Sequence, residues 1–122
     1  MYDKELVAAI LKQVEVALIT IQARSVNIRE VTDFTNSPAG MEKLDGICML
    51  FMAIGESVKN IDKITQGQLL CQYSEVDWAG VKGFRDIIAH HYFSIDAEQV
   101  YWIIKNKLEN IIVVVKKIIT DL

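Results

Sequence analysis

The stretch of sequence that decides the fold is residues 39–63, AGMEKLDGICMLFMAIGESVKNIDK. Its apolar side chains recur every three or four residues, as they do on one face of an α-helix: Leu44, Ile47, Cys48, Phe51, Ile54, Val58 and Ile61. Gly55 interrupts this face, although a glycine inside a helix costs roughly 1 kcal/mol relative to alanine. We therefore predict a helix over about Ala39–Lys63, and we infer that Gly55 allows a neighbouring helix to approach closely.

The same helical period continues on both sides of this segment, because the chain has only one proline and six glycines to interrupt it. Aspartates suited to capping a helix N-terminus stand before three further apolar repeats: Asp3, Asp77 and Asp96. The predicted helices cover about Asp3–Arg24, Asp77–His90 and Asp96 to the C-terminus, and the polar segments Val31–Pro38 and Gln66–Val76 are predicted to be loops. Gln99 completes an approximate capping box with Asp96. Together these elements predict an all-α fold, an up-down four-helix bundle in a single domain of residues 1–122.

The last predicted helix carries more apolar side chains than one buried face needs. A first seam is widened by a second set of residues: Val100, Ile104, Leu108, Ile111, Val115, Ile118 and Leu122, then Ile103, Ile112, Val114 and Ile119. The surplus is explained either by a second helix-packing surface, as in a homodimer, or by a helix buried at the centre of one protomer. The pattern alone does not choose between these two interpretations.

Size and composition favour a domain that folds without disulfide bonds, since 122 residues of which 52% are hydrophobic can bury a substantial core. Cys48 and Cys71 show no paired spacing, so neither a disulfide nor a zinc site is expected. The longest apolar run, Ile47–Gly55, is far short of the roughly 20 residues that span a bilayer, and no signal peptide is recognisable. We expect a cytoplasmic protein with no membrane segment.

Residues 85–92, RDIIAHHY, contain both histidines of the chain together with one arginine, one carboxylate and one phenol. Arginine is a permanent forked cation suited to phosphate oxygens, and histidine gives or takes a proton near neutrality. The formal net charge of −3 argues against a surface that binds nucleic acid over a large area. Any activity on nucleic acid therefore depends on a local cluster of side chains.

Helical geometry separates the side chains of this stretch. Asp86 and His90 are four residues apart and share a face, so we expect the Asp86 carboxylate to orient the His90 imidazole. Arg85 and Tyr92, seven apart, share another face. Arg85 points about 140° away from His90 on an ideal helix, so the two converge on one substrate only in a groove between helices. Taken singly, each residue also has an ordinary explanation: a surface ion pair for Arg85, a capping or core histidine for His90, and an aromatic anchor for Tyr92.

The complete string of Arg85, Asp86, His90 and Tyr92 resembles the signature of the HEPN superfamily, and in particular its HepT-like branch. That signature is an arginine followed by a polar residue, then a histidine five positions after the arginine, one further residue and a tyrosine. The segment Ala53–Lys59, AIGESVK, is similar to the family's Ile-Gly-Glu-Ala-x-Lys, and Trp78 stands where the family commonly has tryptophan. The resemblance thus covers most of the chain.

The resemblance implies a metal-independent RNA endonuclease that acts as the toxin of a type VII-like toxin–antitoxin pair. It implies a homodimer with the active groove at the subunit interface, no cofactor, and a cognate MNT-type nucleotidyltransferase that neutralises the toxin by adenylylating Tyr92. Within that scheme His90 transfers protons, Arg85 binds and stabilises the phosphate, and Asp86 orients His90.

Two further residues are possible accessories, and rival functions stay open. Where the family often has glycine the chain has His91, whose ordinary explanation is packing beside Phe84 and Ile88. Glu56 is a further polar side chain within possible reach of the groove, although an exposed helical glutamate is usually only solvated. The main alternative function is a non-catalytic nucleotide- or substrate-binding accessory domain of a nucleotidyltransferase. A purely structural dimerisation bundle is more remote.

Overall fold

The computed structural model describes residues 2–122, apart from the side chain of Tyr92. Within that range it contains six α-helices and no strand: α1 (Lys4–Arg24), α2 (Thr32–Thr35), α3 (Pro38–Thr65), α4 (Trp78–His90), α5 (Ala97–Asn106) and α6 (Leu108–Asp121). Two 3₁₀ turns, Leu70–Gln72 and Tyr92–Ser94, lie in the connections on either side of α4. The prediction of an all-α fold is confirmed.

The three aspartates predicted to cap helices all do so. Asp3 accepts a hydrogen bond from the backbone N–H of Leu6, Asp77 from that of Gly80, and Asp96 from two N–H groups at the start of α5. Each carboxylate satisfies a backbone donor that has no partner inside its own helix. Helix α3 starts in the same way, with Ser37 as the cap and Pro38 in the first turn.

The segment Val31–Pro38, predicted as a loop, contains the one-turn helix α2. Asp33 does form hydrogen bonds of the kind that stabilise turns. Its carboxylate accepts from the backbone N–H groups of Arg29 and Glu30 at 2.8 and 3.2 Å. Phe34 is nevertheless fully buried, and α2 packs against α3. Burial of this one aromatic side chain therefore fixes a turn of helix where local composition predicts only a loop.

The last predicted helix is divided in two at Lys107, which is a correction to the continuous helix expected from its apolar period. Lys107 has φ −121° and ψ −31°, outside the usual helical range. Hydrogen bonding continues across the break, since its N–H donates to the carbonyl of Ile103 and its own carbonyl accepts from Ile111. Neither glycine nor proline marks the position, so local sequence carried no signal for it.

Helix α3 organises the core by packing against α1, α2 and α4, while α6 packs against α1 and α5. The predicted stripe of α3 is buried throughout, and it meets the α1 side chains Val7, Leu11, Val14, Leu18 and Ile21. By length and composition α1 is also apolar enough to cross a membrane, a test that core helices of soluble proteins pass too. Its buried stripe belongs to the core of the bundle.

The apolar surplus of the last helix is absorbed by the protomer itself. On α6 the buried side chains form one broad face: Leu108, Ile111, Ile112, Val114, Val115 and Ile118. A solvent-facing stripe remains, in which Val113 is 58% exposed. The surplus therefore widens the contact of α6 with its own core, so the argument that it marks a dimer surface loses its main support.

The two cysteines lie in different environments and form no disulfide. Cys48 is part of the buried stripe of α3, and burial, together with the nearby Asp45 carboxylate, raises the pKa of its thiol to about 11. Cys71 is exposed in the connection before α4. Since the thiolate is the reactive form, Cys48 behaves as a small apolar core residue.

Candidate active site on helices α3 and α4

Helices α3 and α4 pack closely together at Gly55. A Cβ atom at this position would overlap the Cβ of Arg85 and would lie 3.0 Å from its Cγ and 3.2 Å from the carbonyl oxygen of Val81. Gly55 itself is buried. The predicted reason for this glycine, close approach of a neighbouring helix, is confirmed, and the stem of Arg85 is pressed directly against the α3 backbone.

Arg85 is held by two carboxylates through two different nitrogens. Its Nε lies 3.0 Å from Oε2 of Glu56 on α3, and its Nη1 donates to Oδ1 of Asp86 at 3.1 Å. The side chain is 29% exposed, so the guanidinium is placed at the surface rather than enclosed. Glu56, suggested only as a possible accessory residue, is thus a direct partner of the arginine.

Asp86 bridges the two helices. Its Oδ1 accepts from Nζ of Lys59 at 2.7 Å as well as from Arg85. The Lys59 ammonium, followed by the Arg85 guanidinium, lowers the pKa of the Asp86 carboxyl below its ordinary value. The carboxylate therefore stays ionised under acidic conditions in which a free aspartate begins to take up a proton.

The hydrogen bond expected between Asp86 and His90 is not formed. The Asp86 carboxylate instead accepts from two charged donors, Lys59 and Arg85. Attraction between opposite full charges adds to these hydrogen bonds, whereas a neutral imidazole offers only its N–H group. His90 is exposed as the last residue of α4, and within the described part of the chain its side chain has no hydrogen bond or ion pair. Its imidazole is open to solvent, so it is neither a satisfied core histidine nor a ligand of Asp86.

His91 is the C-cap that follows helix α4, and it is also exposed. Its backbone leaves the helical region, with φ −122° and ψ 40°, so the helical face shared with Phe84 and Ile88 does not extend to this residue. The helical register on which the expected packing beside those two side chains depends is therefore lost at His91.

Tyr92 begins the 3₁₀ turn that follows α4, so the seven-residue helical register between Arg85 and Tyr92 is broken at His91. The Tyr92 side chain lies outside the described part of the structure, and its predicted modification stays a prediction. The backbone places Tyr92 two residues beyond His90, next to the C-terminal end of α4.

A polar hollow of about 320 Å³ adjoins the Arg85 cluster on the α3 side. Its lining residues all belong to α3 and are exposed or half-buried: Glu56, Ser57, Lys59, Asn60 and Lys63. A separate and mainly apolar cavity of about 240 Å³ contacts Phe51, Phe84 and Trp102, and its lining includes neither Arg85 nor His90. Of these two spaces, only the polar hollow is lined by residues that form ion pairs with Arg85 or Asp86, namely Glu56 and Lys59.

Lys59 belongs with Glu56, Arg85 and Asp86 in one polar cluster, and spacing along the sequence does not reveal it. The contact depends on how α3 and α4 are aligned, which spacing within either helix cannot show. The one available signal was Ala53–Lys59, which matches the family pattern and ends on this lysine.

The structure therefore defines an all-helical protein with an arginine and a histidine five residues apart at the end of one helix. The family model described as Ribonuclease HepT-like matches residues 19–118. The chain is also 32% identical over 102 residues to the Methanocaldococcus jannaschii protein named "Putative RNase MJ0127", covering 79% of this chain and 81% of that protein. No solved structure shows a significant match. The chain belongs to the HepT-like ribonuclease family.

Proposed function

We propose that this protein is a metal-independent RNA endonuclease and the toxin of a toxin–antitoxin pair. The observation that carries the proposal is the arrangement at the end of α4. Arg85 is fixed at the surface by two carboxylates, and His90, one and a half turns further on, presents an unpartnered imidazole within the described residues. A fixed cation and an open proton carrier are the two groups that phosphodiester cleavage requires.

The reaction follows from the chemistry of RNA itself. A base removes the proton of a 2′-hydroxyl, O2′ bonds to the adjacent phosphorus, and the bond from phosphorus to the 5′-oxygen breaks. An acid returns a proton to that leaving oxygen, which gives a 2′,3′-cyclic phosphate and a 5′-hydroxyl. His90 is assigned to the proton transfers and Arg85 to the charge that builds on the phosphate oxygens.

A dimer is part of the proposal because Arg85 and His90 point in different directions. On an ideal helix the two side chains are about 140° apart, and the end of α4 at His90 does not bring them together. A second copy related by a two-fold axis supplies another His90 and another Arg85 to the same groove. One histidine then serves as the base and its mate as the acid.

Tyr92 is the proposed site of regulation by an MNT-type nucleotidyltransferase. An adenylyl group on its hydroxyl adds a bulky anion two residues from His90, which blocks the groove and offsets the charge of Arg85. Co-expression with such a partner, read out by mass spectrometry, tests this directly. Tyr92→Phe is expected to remain toxic and to lack the added mass, and adenylylation of the variant at another residue would contradict the assignment.

The nuclease proposal is tested by incubating purified protein with single-stranded RNA in excess chelator. Wild-type protein is expected to release fragments with 2′,3′-cyclic phosphate ends. His90→Ala should lose roughly 10² to 10⁴ in rate, and Arg85→Ala a comparable factor, because each removes one element of transition-state stabilisation. Circular dichroism serves as the control that both variants remain helical.

The nuclease proposal would be contradicted if wild-type protein halts growth when it is expressed but leaves RNA intact. Tight binding of a nucleotide without cleavage would instead favour the alternative, a non-catalytic accessory domain of a nucleotidyltransferase. Retained cleavage in His90→Ala would keep a nuclease but remove the histidine from its mechanism.

A further inference from the structure

The geometry points to Lys59 as a second phosphate-binding cation of the RNA site, with Asp86 as the positioning residue for both Lys59 and Arg85. This inference rests on the proposed nuclease function and extends the site from one helix to two. It gives α3 a direct part in substrate binding, and it replaces the earlier expectation that Asp86 acts on His90.

One carboxylate oxygen sets the spacing of the two cations. Oδ1 of Asp86 accepts from Nζ of Lys59 at 2.7 Å and from Nη1 of Arg85 at 3.1 Å. The ammonium and the guanidinium are therefore neighbours that share one acceptor. At such a spacing both can donate to the oxygens of a single phosphate, or to those of two consecutive phosphates on a strand.

Both cations keep donors available for a ligand. An ammonium has three N–H groups and a guanidinium has five, and the contacts to Asp86 and Glu56 occupy only part of them. The Lys59 side chain is 37% exposed, and it lines the polar hollow beside Glu56. Lys59 thus contacts Asp86 through its ammonium and also lines a polar space beside the site.

The local charge has the sign that RNA requires, although the whole chain is acidic. Lys59, Lys63 and Arg85 stand against two carboxylates, Glu56 and Asp86, on a chain with a formal net charge of −3. The two carboxylates fix the orientation of the cations before RNA arrives, so less ordering is left for the moment of binding. A small cationic cluster of this kind gives local binding without broad affinity for nucleic acid.

The experiment compares Lys59→Met with Lys82→Met, each in the His90→Ala background so that RNA is bound and not cleaved. Lys82 is a matched control, because its Nζ also joins α4 to α3, through Asp62 at 2.7 Å, and its side chain is 33% exposed. Affinity for a fluorescent single-stranded RNA is measured over a range of salt concentrations. Lys59→Arg, which keeps the charge, is the conservative rescue.

Lys59→Met is expected to weaken binding roughly tenfold at low salt, because it removes one charge-assisted contact. The slope of log affinity against log salt should fall in magnitude by roughly 0.7, the value for one phosphate contact on a single strand. Lys82→Met should change neither quantity, and Lys59→Arg should restore both. In the cleaving enzyme, Lys59→Met should raise KM more than it lowers kcat.

Equal losses of RNA affinity in Lys59→Met and Lys82→Met would overturn the inference. They would show that binding depends on total charge, or on the ion pairs between α3 and α4, and not on Lys59 itself. Unchanged affinity and salt slope in Lys59→Met would overturn it as well. Both outcomes leave cleavage by wild-type protein, and its loss in His90→Ala, intact. Failure of the nuclease proposal is recognised separately, by the absence of cleavage in wild type. Should Lys59→Met not fold, Lys59→Gln takes its place in the same comparison.

Discussion

The Arg85 guanidinium meets Glu56 and Asp86 along different edges, through Nε and Nη1. Only a planar fork can hold two carboxylates in this way and still present Nη2 to a ligand. A lysine at the same position would offer a single point charge. The exchange of Arg85 for lysine is therefore not conservative, even though the net charge is unchanged.

The pKa of Asp86 gives a direct test of the contact with Lys59 in solution. Because the folded-state pKa is lowered, the ionised carboxylate stabilises the fold above the unfolded pKa of about 3.9. That contribution is lost as the pH falls through the lower folded value. Lys59→Met is expected to raise the pKa of Asp86 toward its ordinary value, as measured by carboxyl ¹³C chemical shifts. Lys82→Met should leave it unaltered, and an identical titration in Lys59→Met would mean that the ion pair does not persist in solution.

At this scale residue type and spacing identify side chains that the structure brings together, Arg85 and Asp86, but not all of their contacts. Arg85, Asp86 and His90 were found from residue type and spacing, and Glu56 was suggested as an accessory. The partner of Asp86 was wrong, because spacing along α4 makes His90 a neighbour but says nothing of the lysine that α3 places within 2.7 Å. Contacts between helices depend on their alignment, and that is determined by packing.

At the scale of the elements, the crossing of α3 and α4 at Gly55 links the core to the polar cluster. Three ion pairs join these two helices, those of Lys59 with Asp86, Lys82 with Asp62, and Arg85 with Glu56. All are partly exposed, and ion pairs at the surface contribute little to stability because water and salt screen them. Close packing therefore determines the distance between the helices. The ion pairs determine how the exposed side chains of α3 and α4 are oriented toward each other.

Gly55→Ala is expected to destabilise the protein by about 1–3 kcal/mol, because the new methyl group overlaps Arg85 and the α4 backbone cannot move away without strain. Gly46 on the same helix is the matched control. A Cβ at position 46 meets only the flexible end of Arg24, at 3.3 Å, so Gly46→Ala should stabilise α3 by up to about 1 kcal/mol. Urea unfolding measures both changes, and equal stability of the two variants would show that the helices have room at Gly55.

The extent of the helices was predictable from sequence where a local signal existed. Asp3, Asp77 and Asp96 marked three starts correctly, because a cap acts over only a few residues. The break at Lys107 was not predictable, since the apolar period runs straight through it. The helix α2 was not predicted, because the composition of its segment is typical of turns. Burial of Phe34 outweighs that local preference.

At the scale of the whole molecule, the dimer is still a proposal, and the structure changes where its interface is expected. The apolar side chains of α6 are largely used inside the protomer. The outer face of α4, by contrast, carries Ile87, which is 44% exposed and one turn before His90. Because a shared groove must bring the partner's His90 toward Arg85, this face is the better candidate for the contact between copies.

Ile87→Glu and Val113→Glu separate the two candidate surfaces. Each replaces an exposed apolar side chain, 44% exposed on α4 and 58% exposed on α6, so neither should unfold the protomer. Ile87→Glu is expected to convert dimers to monomers in sedimentation velocity and to abolish RNA cleavage, whereas Val113→Glu should alter neither. The reverse result would return the interface to the last helix, and a fully active monomer would eliminate the shared groove.

The contact at Gly55 also bears on how such a site can change over generations. A substitution at Glu56 or Asp86 would change the charge around Arg85, whereas a substitution at Gly55 would add volume, because one added carbon would displace the stem of Arg85. A buried position with no functional group therefore affects the placement of Arg85 as directly as the polar residues that contact it. In a library of all single substitutions screened for the proposed toxicity, we expect Gly55 to be as intolerant as Arg85, whose stem it contacts.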